Sequence, residues 1–217
     1  MPKIVTFIGW HNSGKTTLAT QVVKHLQEDG YRVAVIKSSK ETGVVFDKPG
    51  SDTDKHRQAG ADGVLFVAPD QMALLTKNSN LPLTALAQHY FPEADIVIGE
   101  GFKHADVAKI EVIRDAGELL RSQVTGVIAV ATDQNIAGDY IFRVDQSREI
   151  ASFIEKRFLQ KTGGAEEKAL LLVNGAAIPL TEADQDTLAD TISDLLKSLT
   201  LTDDAREIEL RIRPKRP

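Results

Sequence analysis

A phosphate-binding loop is the first stretch of the sequence whose residue types and spacing could do chemistry. Residues 9–17 read Gly-Trp-His-Asn-Ser-Gly-Lys-Thr-Thr and match the pattern G-x-x-x-x-G-K-T. Gly9 and Gly14 permit backbone geometries that let successive N–H groups turn towards a polyphosphate. The expected nucleotide contacts are the loop residues Gly9, His11, Asn12, Ser13, Gly14, Lys15, Thr16 and Thr17.

Two residues at the end of this loop have individual roles in such a site. Lys15 is predicted to reach the β- and γ-phosphates, and the Thr16 hydroxyl is predicted to ligate Mg²⁺. The positive end of the helix that follows adds to the attraction for phosphate. A glycine-rich turn with a chance lysine is the alternative, and the strand and helix patterns on either side disfavour it.

Three acidic residues are candidates for metal binding and catalysis. Glu100 ends an apolar run at the C-terminal end of a buried strand, where α/β sheets place their ligand sites. Asp47 and Asp52 flank Pro49-Gly50 in a loop that is expected to move, so either could approach Mg²⁺ when a triphosphate binds. A turn followed by a helix cap has the same sequence, and which acid approaches the metal stays open. The catalytic candidates are Lys15, Glu100 and Asp47, and the metal candidates are Thr16, Glu100 and Asp52.

The element that would read the nucleotide base is less clearly marked. No Asn/Thr-Lys-x-Asp guanine signature occurs in the sequence. Asp133 follows a core strand, and its carboxylate could accept two hydrogen bonds from guanine, although a simple turn acid fits equally well. The residues alone therefore do not separate guanine from adenine.

Alternating strand and helix patterns surround these motifs. A strand at 3–8, a helix at 16–28 and a strand at 31–36, buried on both faces, form a βαβ unit. Further strands are predicted at 63–68 and 71–76 as a hairpin, and at 95–100, 108–114, 126–131 and 140–144; further helices are predicted at 53–59, 83–90 and 150–158. These patterns predict an α/β P-loop NTPase fold, with a mostly parallel sheet flanked by helices.

The pattern changes near residue 160, where Lys161-Thr162-Gly163-Gly164 is typical of a linker. We expect a nucleotide-binding domain at 1–162 and a small C-terminal extension at 168–217. In the extension, Asn174-Gly175 predicts a hairpin, and a helix from Leu188 and a strand at 207–212 complete a ββαβ-like order. Roughly fifty residues are few for an independent domain, so the extension is expected to pack on the main domain or on a second subunit.

Composition restricts the class of protein. The chain has 217 residues, a net charge of −5 and no cysteine, which gives no general attraction to nucleic acid or anionic membranes and excludes disulfides and thiolate metal sites. The five histidines show no metal-ligand spacing. No apolar run reaches membrane-spanning length, and the first leads into the phosphate loop rather than a cleavage site. A cytoplasmic location is the expectation.

Three motifs together resemble the MobB family, the adaptors of molybdopterin-guanine dinucleotide biosynthesis. They are residues 9–17, the loop 47–52 with His56 and Ala59-Gly60-Ala61, and Glu-Gly-Phe-Lys at 100–103 followed by 109–114. The phosphate loop is shared by many NTPases, whereas Asp-Lys-Pro-Gly with Glu-Gly-Phe-Lys at this separation is more specific. The resemblance covers residues 1–160; the segment 36–39 lacks the family's histidines, and the tail after residue 165 lies outside the shorter members.

The resemblance implies a GTP-binding protein with weak GTPase activity, Mg²⁺ as cofactor and a homodimeric assembly. Its implied partner is the guanylyltransferase MobA, which attaches GMP to molybdopterin to complete the molybdenum or tungsten cofactor. Two other functions stay open: a P-loop small-molecule kinase, with Glu100 or Asp47 as base, and a nucleotide-gated adaptor without significant hydrolysis.

The resemblance also assigns residues to these roles. Lys15 and Thr16 would hold GTP·Mg²⁺, Glu100 would occupy the acidic position after the core strand, and Asp47 or Asp52 would belong to the mobile loop. Three basic residues would line a path for an anionic pterin phosphate, with ordinary surface charges as the alternative: Lys103, Lys109 and Arg114.

Overall fold

The computed structural model of the chain describes residues 2–114, 119–160, 169, 171–173, 176–178, 180–198 and 208. The chain divides into two compact units, Met1–Thr162 with Asn174–Ala176, and Gly163–Val173 with Ala177–Pro217. The predicted linker at 161–164, the Asn174-Gly175 turn and most of the predicted strand at 207–212 lie outside the described residues.

Strands and helices alternate along the described residues. The strands are β1 Lys3–Ile8, β2 Val33–Lys37, β3 Gly63–Val67, β4 Met72–Thr76, β5 Ile96–Glu100, β6 Ala108–Ile113, β7 Val127–Thr132, β8 Ile141–Phe142, β9 Leu171–Val173 and β10 Ala176–Ile178. The α-helices are α1 Lys15–Glu28, α2 Asp52–Gln58, α3 Leu83–Tyr90, α4 Ser147–Ile154 and α5 Glu182–Ser198. A 3₁₀ turn, Leu120–Ser122, and a π-helical turn, Glu155–Leu159, complete the regular structure.

A parallel sheet carries the first unit. Its strand order is β2-β5-β1-β6-β7-β8, and each neighbouring pair in it is parallel. The carboxyl ends of its strands therefore lie at one edge, which is where ligand sites form in α/β proteins. The predicted fold class, a P-loop NTPase-like α/β fold with helices flanking a mostly parallel sheet, is confirmed.

The core forms where α1 and α4 cover the middle of this sheet. Apolar side chains recur along α1 at helical spacing and are almost completely buried: Leu18, Ala19, Val22 and Leu26. They join buried residues of β1, β5, β6, β7 and α4 in one cluster. The bidentate ion pair between Arg148 and Asp29, at 2.8 and 2.9 Å, connects the start of α4 to the end of α1. This packing fixes the N-terminus of α1, and with it the phosphate loop.

The second strand corrects one prediction. A strand buried on both faces was expected at 31–36, but β2 lies at the edge of the sheet and is only half-buried, with Val35 48% exposed. An apolar run in sequence cannot distinguish an edge strand from a central one, because the difference depends on which strand pairs beside it. Its neighbour is β5, whose paired residues come 63 positions later in the chain, as for Val33 and Ile96.

The remaining elements are a hairpin in the first unit and the strands and helix of the C-terminal extension. The hairpin at 63–76 is confirmed, with β3 and β4 antiparallel in a two-stranded sheet of their own. In the extension, β9 and β10 also form a two-stranded sheet, and α5 begins at Glu182, six residues before the predicted start at Leu188. The earlier start has a local cause, since Thr181 and Asp184 exchange hydrogen bonds as a capping box.

A helix that crosses a lipid bilayer needs about twenty predominantly apolar residues. Within the described part of the chain, no helix combines the length and the apolar character needed to cross a membrane.

Candidate functional site

The candidate site forms where the loop after β1 meets the carboxyl ends of β2 and β5. Glu100 pairs with Phe7 of β1 on one side and with Lys37 of β2 on the other. Because β5 lies between these two strands, Glu100 faces both the phosphate loop and the end of β2. Residues that are far apart in the sequence are thus brought to one edge of the sheet.

The phosphate loop has the backbone geometry that its glycines predict. Asn12 and Gly14 have left-handed φ values of 59° and 87°. At Gly9 a Cβ atom would collide with the carbonyl oxygen of Val112 and lie 2.6 Å from Ser13 Oγ. A side chain at position 9 would therefore push the loop away from the end of β6. The glycine is required by close packing as well as by backbone conformation.

The side chain of Lys15 folds back over the phosphate loop, where it is predicted to contact the β- and γ-phosphates. Its Nζ donates to the carbonyl oxygen of Trp10 at 2.5 Å and lies 3.4 Å from Ser13 Oγ. Burial lowers the pKa of Lys15, and the Lys37 charge acts in the same direction, while Glu100 opposes both. Gly14, the N-cap of α1, provides no side-chain capping bond, so the loop presents an ammonium group beside an uncapped helix N-terminus. This is an arrangement that attracts phosphate.

Glu100 is the centre of the hydrogen bonds in the site. Its Oε1 accepts from Thr16 Oγ1 at 2.6 Å and from Lys37 Nζ at 2.9 Å, and the residue is only 9% exposed. Burial acts to raise the pKa of Glu100, but the hydrogen bonds from Lys37 and Thr16 and the charges of Lys37 and Lys15 outweigh it and lower the pKa. Glu100 is therefore held as a carboxylate next to the phosphate loop.

Thr16 and Glu100 fit the ligand preferences of Mg²⁺. The cation prefers hard oxygen ligands and usually keeps several waters beside one or two protein groups. The Thr16 hydroxyl donates its hydrogen to Glu100, which leaves the lone pairs of Oγ1 for a cation. Thr16 would hold the metal directly in such a site, and Glu100 would hold it directly or through water.

The acidic loop residues have local partners in this structure. Asp47 accepts hydrogen bonds from Thr53 and, at 2.9 Å, from Ser51, and these bonds lower its pKa. Ser51 is the N-cap of α2, which agrees with the predicted alternative that this loop is a turn followed by a helix cap. Asp52 is exposed and pairs with Lys55 at 2.9 Å. These contacts are those of a turn and helix cap, and an approach of Asp47 or Asp52 to Mg²⁺ stays a prediction.

The ends of β6 and β7 lie on the other side of the phosphate loop. A Cβ atom on Gly14 would be 3.3 Å from Arg114 Nε, so this guanidinium lies against the loop. Asp133 follows β7 directly and is exposed, with Oδ1 3.7 Å from the guanidinium of Arg143. The role of Asp133 as a reader of guanine stays a prediction.

One basic residue of the expected pterin path is not available to a ligand. Lys109 is 1% exposed, and its Nζ donates to the carbonyl oxygens of Ala105 and Val107 at 2.5 and 3.0 Å. The prediction that Lys109 lines an anion path is therefore wrong. Through these hydrogen bonds, its ammonium group holds the loop before β6 against β6. Lys103 does lie beside the phosphate loop, with Nζ 5.7 Å from the centre of the exposed Trp10 ring.

Sequence reasoning left Lys37 without a role, although the structure places it in the site. The available signal was its position at the C-terminal end of an apolar run, the same signal that identified Glu100. What the sequence lacked was the strand order, which puts β2 next to β5.

Comparisons with known proteins agree with this architecture. The family model described as MobB, molybdopterin guanine dinucleotide synthesis protein B, matches residues 4–133. The molybdopterin-guanine dinucleotide biosynthesis adapter protein of Escherichia coli (strain K12) is 33% identical over 172 residues, covering 76% of this chain and 97% of its own length. A solved crystal structure of molybdopterin-guanine biosynthesis protein B (mobB) is 30% identical with a TM-score of 0.61, covering 71% of this chain and 99% of its own.

Coverage by the relatives differs at the C-terminal end. A relative from Methanocaldococcus jannaschii, also named as a molybdopterin-guanine dinucleotide biosynthesis adapter protein, is 25% identical, and the match covers 97% of both chains. The C-terminal extension therefore has a counterpart in that relative, whereas the Escherichia coli match leaves about a quarter of this chain uncovered.

Proposed function

This chain belongs to the MobB family, and we propose that it is a GTP-binding accessory protein with weak GTPase activity in molybdenum or tungsten cofactor guanylylation. Its proposed partners are a MobA-like guanylyltransferase and molybdopterin or the molybdenum cofactor. The relatives it matches are named molybdopterin-guanine dinucleotide biosynthesis adapter proteins, which supports a role for this chain in that pathway. A cytoplasmic location is part of the same proposal, because the proposed substrate GTP is used there.

The hydrogen bond between Thr16 and Glu100, 2.6 Å long, is the observation that best supports a nucleotide function. It joins the last residue of the G-x-x-x-x-G-K-T motif to the acid that ends β5, as a magnesium nucleotide site requires. Lys15 and the N-terminus of α1 would bind the β- and γ-phosphates, and Thr16 and Glu100 would hold Mg²⁺. Bound Mg²⁺ would neutralise charge that develops on the phosphates during hydrolysis.

The state of the acidic residues supports slow rather than fast hydrolysis. A general base works best when its pKa lies near the operating pH. The pKa of Glu100 is lowered and its Oε1 already accepts two hydrogen bonds, while the pKa of Asp47 is lowered by Thr53 and Ser51. Neither carboxylate is a good acceptor for a proton from water. The same contacts disfavour a small-molecule kinase, which would need one of these acids as its base.

The surface beside the loop supports a second ligand that is both flat and anionic. Trp10 is 46% exposed, and the Lys103 ammonium lies 5.7 Å from the centre of its ring. We propose that the pterin ring and phosphate of molybdopterin bind against these two residues, with Arg114, which lies against Gly14 of the same loop, as a further cation. An aromatic face with an adjacent cation suits such a ligand by stacking and charge.

Reconstituted guanylylation tests the accessory role. A MobA-like guanylyltransferase from the same source is assayed for GMP attachment to molybdopterin at limiting GTP, with and without this protein. The proposal predicts faster product formation with the wild-type chain and no stimulation by the Lys15→Ala variant. Equal stimulation by the two proteins, or none by either, contradicts it.

The hairpin of β3 and β4 supports the proposed homodimer. One face of the hairpin carries two cross-strand apolar pairs, Leu65 with Leu74 and Val67 with Met72, and these side chains are 48–70% exposed. A continuous apolar face on a two-stranded sheet is costly to leave in water and marks an interaction surface. A second copy of the chain is the proposed occupant, because each copy would bury the same face.

A charged pair on this hairpin face is expected to give a monomer. The double substitution Leu65→Lys and Leu74→Glu keeps a favourable cross-strand pair, so the hairpin itself should form, while the apolar face is lost. Sedimentation velocity measures the mass of the variant and of a control, Tyr90→Lys, which changes an exposed apolar residue at the end of α3, outside the hairpin and the extension. A double variant that stays dimeric would contradict the assignment of this face.

A further inference from the structure

Lys37 supplies the positive charge that Glu100 contacts in this structure. Its Nζ lies 2.9 Å from Oε1, the oxygen that also accepts from Thr16 Oγ1 at 2.6 Å. One carboxylate oxygen is thus shared between the hydroxyl of the phosphate loop and an ammonium group from another strand. This is the oxygen nearest to the group that would ligate Mg²⁺.

The two partners differ in how freely they can move. The side chain of Glu100 is 11% exposed, whereas that of Lys37 is 58% exposed. Lys37 is the last residue of β2, and the backbone just after it is fixed by a hydrogen bond from Ser38 N to the Glu100 carbonyl oxygen at 2.9 Å. The long, flexible lysine stem can therefore turn on a fixed backbone, with its ammonium group passing through solvent.

The charges of the site change when a magnesium nucleotide binds. Glu100 already has two cations close enough to act on its pKa, Lys37 and Lys15. A divalent cation at the same carboxylate would be repelled by an ammonium group that stayed on Oε1. The triphosphate brings several negative charges into the same site, and its terminal phosphate offers a new partner to a displaced ammonium group.

We propose that Lys37 is the resident counter-ion of Glu100 in the nucleotide-free protein and moves to the terminal phosphate when a magnesium triphosphate binds. This inference rests on the proposed nucleotide function and adds to it a residue that distinguishes a triphosphate from a diphosphate. Only a triphosphate has a γ-phosphate, which gives the Lys37 ammonium group a new anionic partner in place of Glu100. Lys37 would also keep divalent cations from binding before the nucleotide does.

Three variants test the two parts of this proposal. Lys37→Met removes the charge and keeps most of the length, Lys37→Arg keeps the charge, and Lys40→Met is a matched control three residues further along the same segment. Electron paramagnetic resonance measures Mn²⁺ binding to the nucleotide-free proteins. Calorimetry measures GTP and GDP affinity in the presence of Mg²⁺.

Lys37→Met is expected to bind Mn²⁺ about tenfold more tightly without nucleotide, because a repelling charge is gone. The same variant should bind GTP about tenfold more weakly, with GDP little changed, because one charge-assisted contact to the γ-phosphate is lost. Lys37→Arg and Lys40→Met should resemble the wild type in Mn²⁺ affinity, and Lys40→Met also in the GTP-to-GDP ratio.

The proposal is overturned if Lys37→Met and Lys40→Met have the same Mn²⁺ affinity, or the same GTP-to-GDP ratio. If Lys37→Met changes only the Mn²⁺ affinity, Lys37 acts as the counter-ion of Glu100 but does not move to the terminal phosphate. That result also overturns the proposal. These outcomes differ from a failure of the proposed function, in which the wild-type protein itself would not bind GTP.

Discussion

Replacing Lys15 with alanine is expected to weaken GTP binding in the presence of Mg²⁺ by about 100-fold, because hydrogen bonds to charged groups contribute about 1.5–3 kcal/mol each. The ammonium group now lies against Trp10 and Ser13 of the loop, and it is predicted to bridge the β- and γ-phosphates. Any hydrolysis should fall at least as far, since the same charge stabilises the transition state. Calorimetry and single-turnover hydrolysis measure the two effects.

Lys24→Ala is the matched control for this experiment. Lys24 lies on the same helix, and its side chain is 74% exposed and pairs across the helix surface with Glu28 at 3.8 Å. The Lys24→Ala variant should bind GTP with the affinity of the wild type. A hydrolysis rate unchanged in Lys15→Ala would exclude this site as the source of the activity.

Glu100→Gln is expected to reduce the contribution of Mg²⁺ to GTP binding by about 10- to 100-fold, as removal of groups around a bound metal commonly does. The amide oxygen can still accept from Thr16 and Lys37, so the local hydrogen bonds can persist while the negative charge is lost. GTP affinity is measured in Mg²⁺ and in EDTA, and the ratio of the two values reports the metal contribution.

Glu93→Gln controls for the loss of one acid near the same strand. Glu93 is exposed and pairs with Arg32 at 3.0 Å, just before β5 begins. In the Glu93→Gln variant, the contribution of Mg²⁺ to GTP binding should equal that in the wild type. An undiminished Mg²⁺ contribution in Glu100→Gln, with thermal unfolding unchanged, would remove Glu100 from the metal site.

The parts of the site that could be predicted are those that a continuous stretch determines. The phosphate loop is nine consecutive residues, and its glycines, Lys15 and Thr16 carry their geometry in the motif itself. Glu100 was predictable because an apolar strand that ends in an acid has few structural explanations. The α/β fold followed from alternating periods, which are also local properties.

The remaining features depend on contacts between distant segments. The contact of Lys37 with Glu100 requires β5 to pair between β1 and β2, an order that no local pattern specifies. The burial of Lys109 is not predictable locally, because a lysine in a strand normally faces solvent; here the carbonyl groups of Ala105 and Val107 accept from its ammonium group and the charge of Asp106 favours it. The edge position of β2 has the same non-local cause.

Nucleotide specificity measured by calorimetry tests the central claim most directly. GTP and ATP are titrated into the wild-type protein with Mg²⁺, and GTP again in EDTA. The account predicts that GTP binds at least about tenfold more tightly than ATP, because one hydrogen bond from guanine to a carboxylate such as Asp133 is worth about 1.5 kcal/mol or more. It also predicts that GTP binding weakens in EDTA. Tighter binding of ATP than of GTP would contradict it.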